Sequence, residues 1–296
     1  MTIRGKQMKG SISSEHREIL CNMRTGLMKS MPYSDEDLNR PLVAVIHAWS
    51  DVSPGEYHLR HIAEYVKAGI REGGGTPAEL IIPGVCGGVS GAGTDVHKFN
   101  VPYRDIAAAL LEIMLNMNHF DAAVVMAACD HVIPAFLMGV CLADVPSIML
   151  TGGYMEPGDD FDGHYLHATA TMKLYGKYKE GKITRKQLKH VVDRACPGPG
   201  ACVEMATAHT MASISEALGM SLPGNTGVAA TSTDLIKLAR LAGRQVMALH
   251  EAGITPKDII TEKSIENAMR TVLAVGGSAN GLIHLPAITR QVDIHL

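Results

Sequence analysis

Four short apolar runs, three of them separated by helix-length segments, constrain most strongly what this chain can fold into. LVAVIHA at 42–48, AAVVMA at 122–127 and VPSIMLT at 145–151 are apolar or β-branched at consecutive positions, and a fourth candidate lies at 78–82. Uninterrupted apolar runs of this length read as strands buried on both faces. Between them, Leu59, Ile62, Ala63, Val66 and Ile70 recur at helical spacing over 57–72 until Gly73-Gly74-Gly75 stops the pattern. Further helices are predicted over 103–117 and over 133–142, where Pro134 suits a first helical turn. Strands joined through helices imply crossover units and a parallel sheet. The predicted fold class is therefore α/β, a parallel sheet flanked by helices on both faces, with additional C-terminal helices. Those are predicted over 186–194, 203–218, 233–252 and 257–275, after a loop-rich stretch from Gly153 to about 184. Residues 1–40 read as a helical or irregular lead-in, and 41–296 as the α/β domain.

The 27 Lys and Arg against 30 Asp and Glu give a net charge of -3, which argues against electrostatic binding of nucleic acid or of an anionic membrane. No apolar run approaches the roughly 20 residues of a membrane-spanning helix. The N-terminus lacks the apolar core of a secretory signal, so the expected location is cytoplasmic. Six cysteines in 296 residues are too sparse for a disulfide framework. In a reducing compartment they are core fillers, nucleophiles or metal ligands.

In open parallel sheets, ligands bind at the carboxyl ends of the strands. The loops there carry Ser50 to Glu56, Val85-Cys86-Gly87-Gly88, Cys129-Asp130-His131 and Thr151-Gly152-Gly153. A further cysteine, Cys202, ends Cys196-Pro197-Gly198-Pro199-Gly200-Ala201-Cys202, read as a turn that opens a helix whose N–H groups favour a thiolate. Cys86, Cys129 and Cys202 are thus candidates to converge, although an isolated cysteine is more often an inert core residue. Cys21 and Cys141 are read that way. The glycine-rich loop 84–93 matches neither a P-loop nor Gly-x-Gly-x-x-Gly, and implies close backbone approach to something. His58 and His61 are read as a helix surface rather than a zinc site, and no His-Glu-x-x-His occurs.

Several stretches together resemble the dihydroxyacid dehydratase / 6-phosphogluconate dehydratase family. They are Pro54-Gly55-Glu56-Tyr57-His58-Leu59-Arg60, Val85-Cys86-Gly87-Gly88, Cys129-Asp130-His131-Val132-Ile133-Pro134, Gly152-Gly153-Tyr154-Met155, the Cys196 to Cys202 loop, Thr207-Ala208-His209-Thr210-Met211, the run from Glu216 to Asn225, and Gly276-Gly277-Ser278-Ala279-Asn280. The resemblance implies an iron–sulfur hydro-lyase that converts a 2,3-dihydroxy or sugar acid into a 2-keto acid. It implies Cys86, Cys129 and Cys202 as cluster ligands, Asp130 as a metal ligand, and His131, Ser278 and Asn280 as catalytic or substrate-contacting residues.

The departures also carry information. Where one branch of the family has Pro-Cys, this chain has Pro54-Gly55, which favours a [4Fe–4S] cluster over [2Fe–2S]. Gly87 stands in place of an acidic magnesium ligand and His131 in place of a lysine, so the magnesium site lacks two usual contacts. The family's C-terminal β-barrel-like domain has no counterpart before Leu296. Met1 and the untagged end suggest a naturally short chain, with a separate subunit supplying that domain. A homo-oligomer, dimer or higher, is implied by resemblance. Two rival readings are a non-catalytic binding or regulatory subunit and a related lyase or isomerase that uses only the cluster iron.

Overall fold

A computed structural model describes residues 14–91, 93–160 and 162–296. In chain order the elements are α1 (Ser14–Met28), α2 (Asp35–Leu38), β1 (Leu42–His47), α3 (Leu59–Glu72), β2 (Thr76–Ile81), α4 (Asn100–Met117), β3 (Ala122–Ala127), α5 (Val132–Ala143) and β4 (Ser147–Thr151). There follow β5 (Gly158–Asp159), β6 (Tyr165–Leu166), α6 (Ala170–Lys179), α7 (Arg185–Arg194), α8 (Thr207–Ala217), α9 (Thr233–Ala252), α10 (Pro256–Ile259), α11 (Glu262–Ala274) and α12 (Gly281–Thr289).

The main sheet has the order β2-β1-β3-β4 and is parallel throughout, with Val43 opposite both Pro77 and Ala122, and Ala123 opposite Ser147. Every β3 residue is fully buried, as its unbroken apolar run requires. Crossovers of this kind are right-handed, which puts α3 on one face and α4 and α5 on the other. Packing agrees: α3 lies against α9, and α4 against α5. A second helical layer of α8, α11 and α12 rests on α5.

Glycines set both helix crossings. A Cβ on Gly69 of α3 would lie 2.0 Å from the Arg240 carbonyl oxygen of α9, and one on Gly243 would lie 2.3 Å from the Val66 oxygen. On the other face, a Cβ on Gly139 of α5 would come 2.8 Å from Leu111 Cβ of α4. Gly69→Ala must therefore push two backbones apart and is expected to cost upwards of about 3 kcal/mol. Thermal unfolding followed by circular dichroism measures this, and a shift under about 3 °C would contradict it.

The structure revises several predicted elements. The stretch read as loop contains the β5–β6 hairpin and α6, whose sequence ATMKLYGKYK lacks a clear apolar stripe because only Leu174 is buried. The helix predicted over 203–218 begins only at Thr207, and that over 257–275 is divided at Ile260 and Thr261, where Thr261 caps α11. Helix α12 was not anticipated. In the lead-in, α1 and α2 are helical, and residues 1–13 lie outside the described residues.

Candidate functional site

After β1 the chain turns toward β2, and after β3 it turns toward β4, so the loops at these adjacent strand ends diverge and leave a crevice. The two sides of that crevice are tied by Glu56. Its side chain is fully buried and accepts hydrogen bonds from Ala128 N at 3.0 Å and Cys129 N at 2.8 Å. Burial pushes the Glu56 carboxyl up to about 8, against the opposing pull of those two N–H groups. Sequence reading quoted Glu56 without giving it a role. Its only signal was a carboxylate inside an otherwise tight turn.

Cys129 sits directly beneath this loop. Ser53 Oγ lies 3.5 Å from Cys129 Sγ, and a Cβ at position 55 would fall only 2.4 Å from the same sulfur. Gly55 is thus required by the thiol beside it. The third side of the pocket is the glycine-rich loop, anchored by Gly84 N donating to Ala48 O at 2.8 Å. Its Cys86 faces Cys129: the Cys129 S–H donates to the Cys86 sulfur and, with N–H groups of Val89 and Gly88, holds Cys86 down to about 6 despite its burial. Cys129 is raised correspondingly, by sharing its proton with Cys86 and by burial.

Cys202 arrives on a different support. Ala201 N donates to Gly153 O at 2.9 Å, Met155 N to Ala201 O at 2.7 Å and Gly200 N to Pro54 O at 3.1 Å, so the loop is stitched to the extension of β4 and to the β1 loop. Gly200, at φ 130°, passes where a Cβ would meet Met155 N at 2.6 Å. The expectation of a helix-stabilised thiolate at Cys202 is corrected. Helix α8 begins five residues later, and burial followed by the charges of Glu204, Asp130 and Cys86 pushes Cys202 up to about 12. The helix N-terminus receives Asp130 instead, which takes the N–H of Ala208 and is still raised by burial.

His131 is at the start of α5, with its ring edge-on to His284 at 5.2 Å. Burial, then the charges of Arg104 and His97, hold it down to about 4, so it is uncharged at neutral pH, and its Nδ1 is buried without a partner. His284 is likewise held to about 4, and its Nδ1 accepts from Arg104 Nη1 at 3.2 Å. At Gly87, which stands in place of an acidic ligand of the resembled family, His97 Nε2 lies 3.2 Å from where a Cβ would be. Ser278 and Asn280 reach the same region through α8. Asn280 Nδ2 donates to Thr207 Oγ1 at 2.8 Å and Ser278 N to Thr210 Oγ1 at 2.8 Å.

Among the described residues, Asp160, Asp162 and His164 are the one group of three whose ligand atoms fall within single-ion distance. Asp160 there also closes its own turn by accepting from Asp162 N and His164 N. Cys86, Cys129 and Cys202 therefore do not preform a mononuclear site. Two facing thiols and a third on a neighbouring loop suit a polynuclear iron–sulfur cage, which spreads its ligands further apart. The surroundings suit Mg²⁺ poorly, because Gly87 offers no oxygen and His131 offers nitrogen. Cys141 is buried in α5 and pushed up to about 12, in keeping with a core residue. The surface reading of the histidine pair is corrected for His58, which is half-buried with Nε2 2.6 Å from Gly152 O; His61 is exposed.

Fold and site define a doubly wound α/β domain with a thiol-lined crevice at its switch point. Residues 40–296 match the family described as Dihydroxy-acid/6-phosphogluconate dehydratase N-terminal, and the chain belongs to that family. It is similar to a dihydroxy-acid dehydratase of Pyrococcus abyssi, 40% identical over 270 residues that make up 91% of this chain and 49% of the relative. One from Caldicellulosiruptor saccharolyticus is 41% identical over 91% of this chain and 49% of its own. Dihydroxy-acid dehydratase 1 of Methanosarcina acetivorans is 37% identical over 98% and 52%. The chain spans about half the length of these relatives. Among the described residues no helix is long and apolar enough to cross a membrane.

The buried histidines make a pH prediction. Burial lowers His47, His58, His131, His209 and His284 below the usual value near 6.5. Below about pH 6.5 the unfolded chain binds these protons and the folded chain does not, so stability falls as pH falls. Glu56 and Asp130, both raised, act in the opposite sense, but they are two against five. Chelator-treated protein should lose stability from pH 6.5 toward pH 4.5, at about 1.4 kcal/mol per pH unit for each net proton. Urea midpoints that stay flat or rise over this range would contradict the assignment.

Proposed function

We propose that the chain is an iron–sulfur-dependent hydro-lyase, or its cluster-bearing subunit, that dehydrates a small 2,3-dihydroxy or sugar acid to a 2-keto acid. The observation that carries this reading is the convergence of Cys86 and Cys129 at the switch point, with the Cys202 loop stitched beside them. The kinship with dihydroxy-acid dehydratases supports the reaction class.

Cys86, Cys129 and Cys202 would hold the cluster. Three thiolates favour [4Fe–4S] over [2Fe–2S], because the space at position 55 is closed to a further side chain by Cys129. When bound, such a cluster offers an open iron as Lewis acid for the departing hydroxyl. The protein's own part is to hold the acid and move its proton. Asp130, on the α8 N-terminus, lines the metal or substrate site. His131 presents an uncharged imidazole whose unpartnered Nδ1 is available to a proton from the substrate. Ser278 and Asn280, braced on Thr207 and Thr210, would orient the substrate's hydroxyl or carboxylate groups. No step is assigned to magnesium.

The chain spans about half the length of its relatives, so their remaining half is supplied in the test as an added polypeptide; we place the protein in the cytoplasm as a homo-oligomer. The test is to purify the chain without oxygen and measure iron and sulfide. Keto-acid formation is then followed on a panel of aldonic and dihydroxy acids, with and without a polypeptide matching that half. Folded protein without iron would overturn the cluster and favour a binding subunit. Iron with turnover of dihydroxy acids would sustain the proposal.

A further inference from the structure

Arg104 of α4 is a buried cation that faces an imidazole on its inner side. It is 7% exposed, and its ion-pair partner Asp105, at 2.8 Å, leaves 55% of its own side chain in water. Nη1 of Arg104 turns inward, to His284 Nδ1 at 3.2 Å and to the Ile283 carbonyl oxygen at 3.5 Å. His284, in α12, is 1% exposed and is held uncharged at neutral pH. Keeping a guanidinium out of water against a neutral ring is unfavourable, and apolar side chains of the same size would join α4 to α12 without that desolvation.

The hydrogen bond fixes more than the packing. A guanidinium has N–H donors only, so the His284 Nδ1 that it faces is bare, and the ring proton of His284 is on Nε2. The same ring stands edge-on to His131, with centroids 5.2 Å apart and an interplanar angle of 76°. His131 precedes the first turn of α5, and its Nδ1 is buried without a hydrogen-bond partner. With no hydrogen bond at that nitrogen, the orientation of the His131 ring is left to what packs against it, and His284 is the ring in contact. His284 also lies one turn beyond Asn280, whose carbonyl oxygen accepts from His284 N at 3.1 Å, so a clamp on His284 also steadies the segment that carries Ser278 and Asn280.

We propose that Arg104 and His284 are positioning residues for His131. Arg104 fixes the proton and the plane of the His284 ring, and that ring holds the His131 imidazole in the orientation that leaves Nδ1 open to substrate. Both act through His131 rather than on substrate. The inference rests on the role given to His131 in the proposed function and deepens it. A plain staple between α4 and α12 would need the hydrogen bond but would have no effect on His131.

The test uses the full 296-residue chain, isotope-labelled at the histidine nitrogens, purified without oxygen and compared before and after chelation. Nitrogen chemical shifts separate a protonated from a bare ring nitrogen, and the signals of His284 and His131 are identified by their loss in His284→Gln and His131→Gln. In the parent, His284 is expected as a single tautomer with the proton on Nε2. Arg104→Met should turn it into a mixture and shift the His131 nitrogens as well, and Arg104→Lys, which restores a donor, should return both toward the parent. His284→Gln keeps an acceptor for Arg104 but removes the ring, so His131 should shift there too, and this variant decides the matter if Arg104→Met does not fold. Melting temperatures report any loss of fold separately. Where keto-acid formation is measured, kcat should fall by about tenfold or more in Arg104→Met and His284→Gln, with KM within about threefold of the parent. His131 signals that stay in place in the folded variants, a parent His284 with its proton on Nδ1, or a rise in KM alone would each overturn the proposal. A parent without iron or turnover would instead overturn the proposed function, while the His131 and His284 shifts still decide the positioning.

Discussion

In protein purified without oxygen, Cys129→Ser is expected to lower bound iron from about four per chain to less than about one, with sulfide falling in parallel. Cys129 is the centre of the thiol group. It faces Cys86, lies under Ser53 and Gly55, and has its backbone N–H held by Glu56. A serine hydroxyl there keeps the size but is a far poorer iron ligand than a thiolate. Cys86→Ser and Cys202→Ser should give the same loss, since three protein thiolates leave no spare ligand. Cys141→Ser is the control. That thiol is buried in α5 among apolar side chains, so its replacement should retain the iron and affect only stability. Unchanged iron in Cys129→Ser, or equal loss in Cys141→Ser, would refute the ligand assignment.

The second large effect is expected from Glu56→Ala. The substitution leaves Ala128 N and Cys129 N buried without an acceptor, at about 1–3 kcal/mol each, and opens a cavity between the two loops. Melting temperature should fall by about 5–10 °C. Iron retention should fall with it, because the backbone that presents Cys129 is released. Glu56→Gln should behave differently. A carboxyl pushed up to about 8 is mostly protonated near neutrality, and an amide oxygen at the Oε1 place can still accept from both Ala128 N, at 3.2 Å, and Cys129 N, at 2.8 Å, losing only the Oε2 contact. Its cost is expected to be about 1 kcal/mol. If the amide destabilised as much as alanine, a charged carboxylate would be the working form and the effect attributed to burial would be wrong.

The buried strands were legible because β3 and its neighbours are covered on both faces, and continuous apolar runs have few other uses. Their positions fixed the strand ends, and with them the loops that carry Cys86, Cys129 and Asp130. Helix boundaries were less legible where periodicity is weak, as in α6, or where a capping threonine interrupts an otherwise continuous pattern, as at Thr261. Glu56 was missed because its importance lies in what it touches. A carboxylate in a turn reads as solvent-facing until its partners, 72 and 73 residues away in sequence, are known.

By itself, then, the sequence determined the strand–helix alternation, the parallel sheet and the loops in which thiols occur. These follow from local apolar patterning, which acts over a few residues. Only the tertiary structure decided that Cys86 and Cys129 face one another, that Gly55 must lack a side chain, and that the α8 N-terminus serves Asp130 instead of Cys202. Those relations depend on which loops diverge at the switch point and how closely backbones pass. Interactions between residues far apart along the chain set that geometry, and no local pattern encodes it.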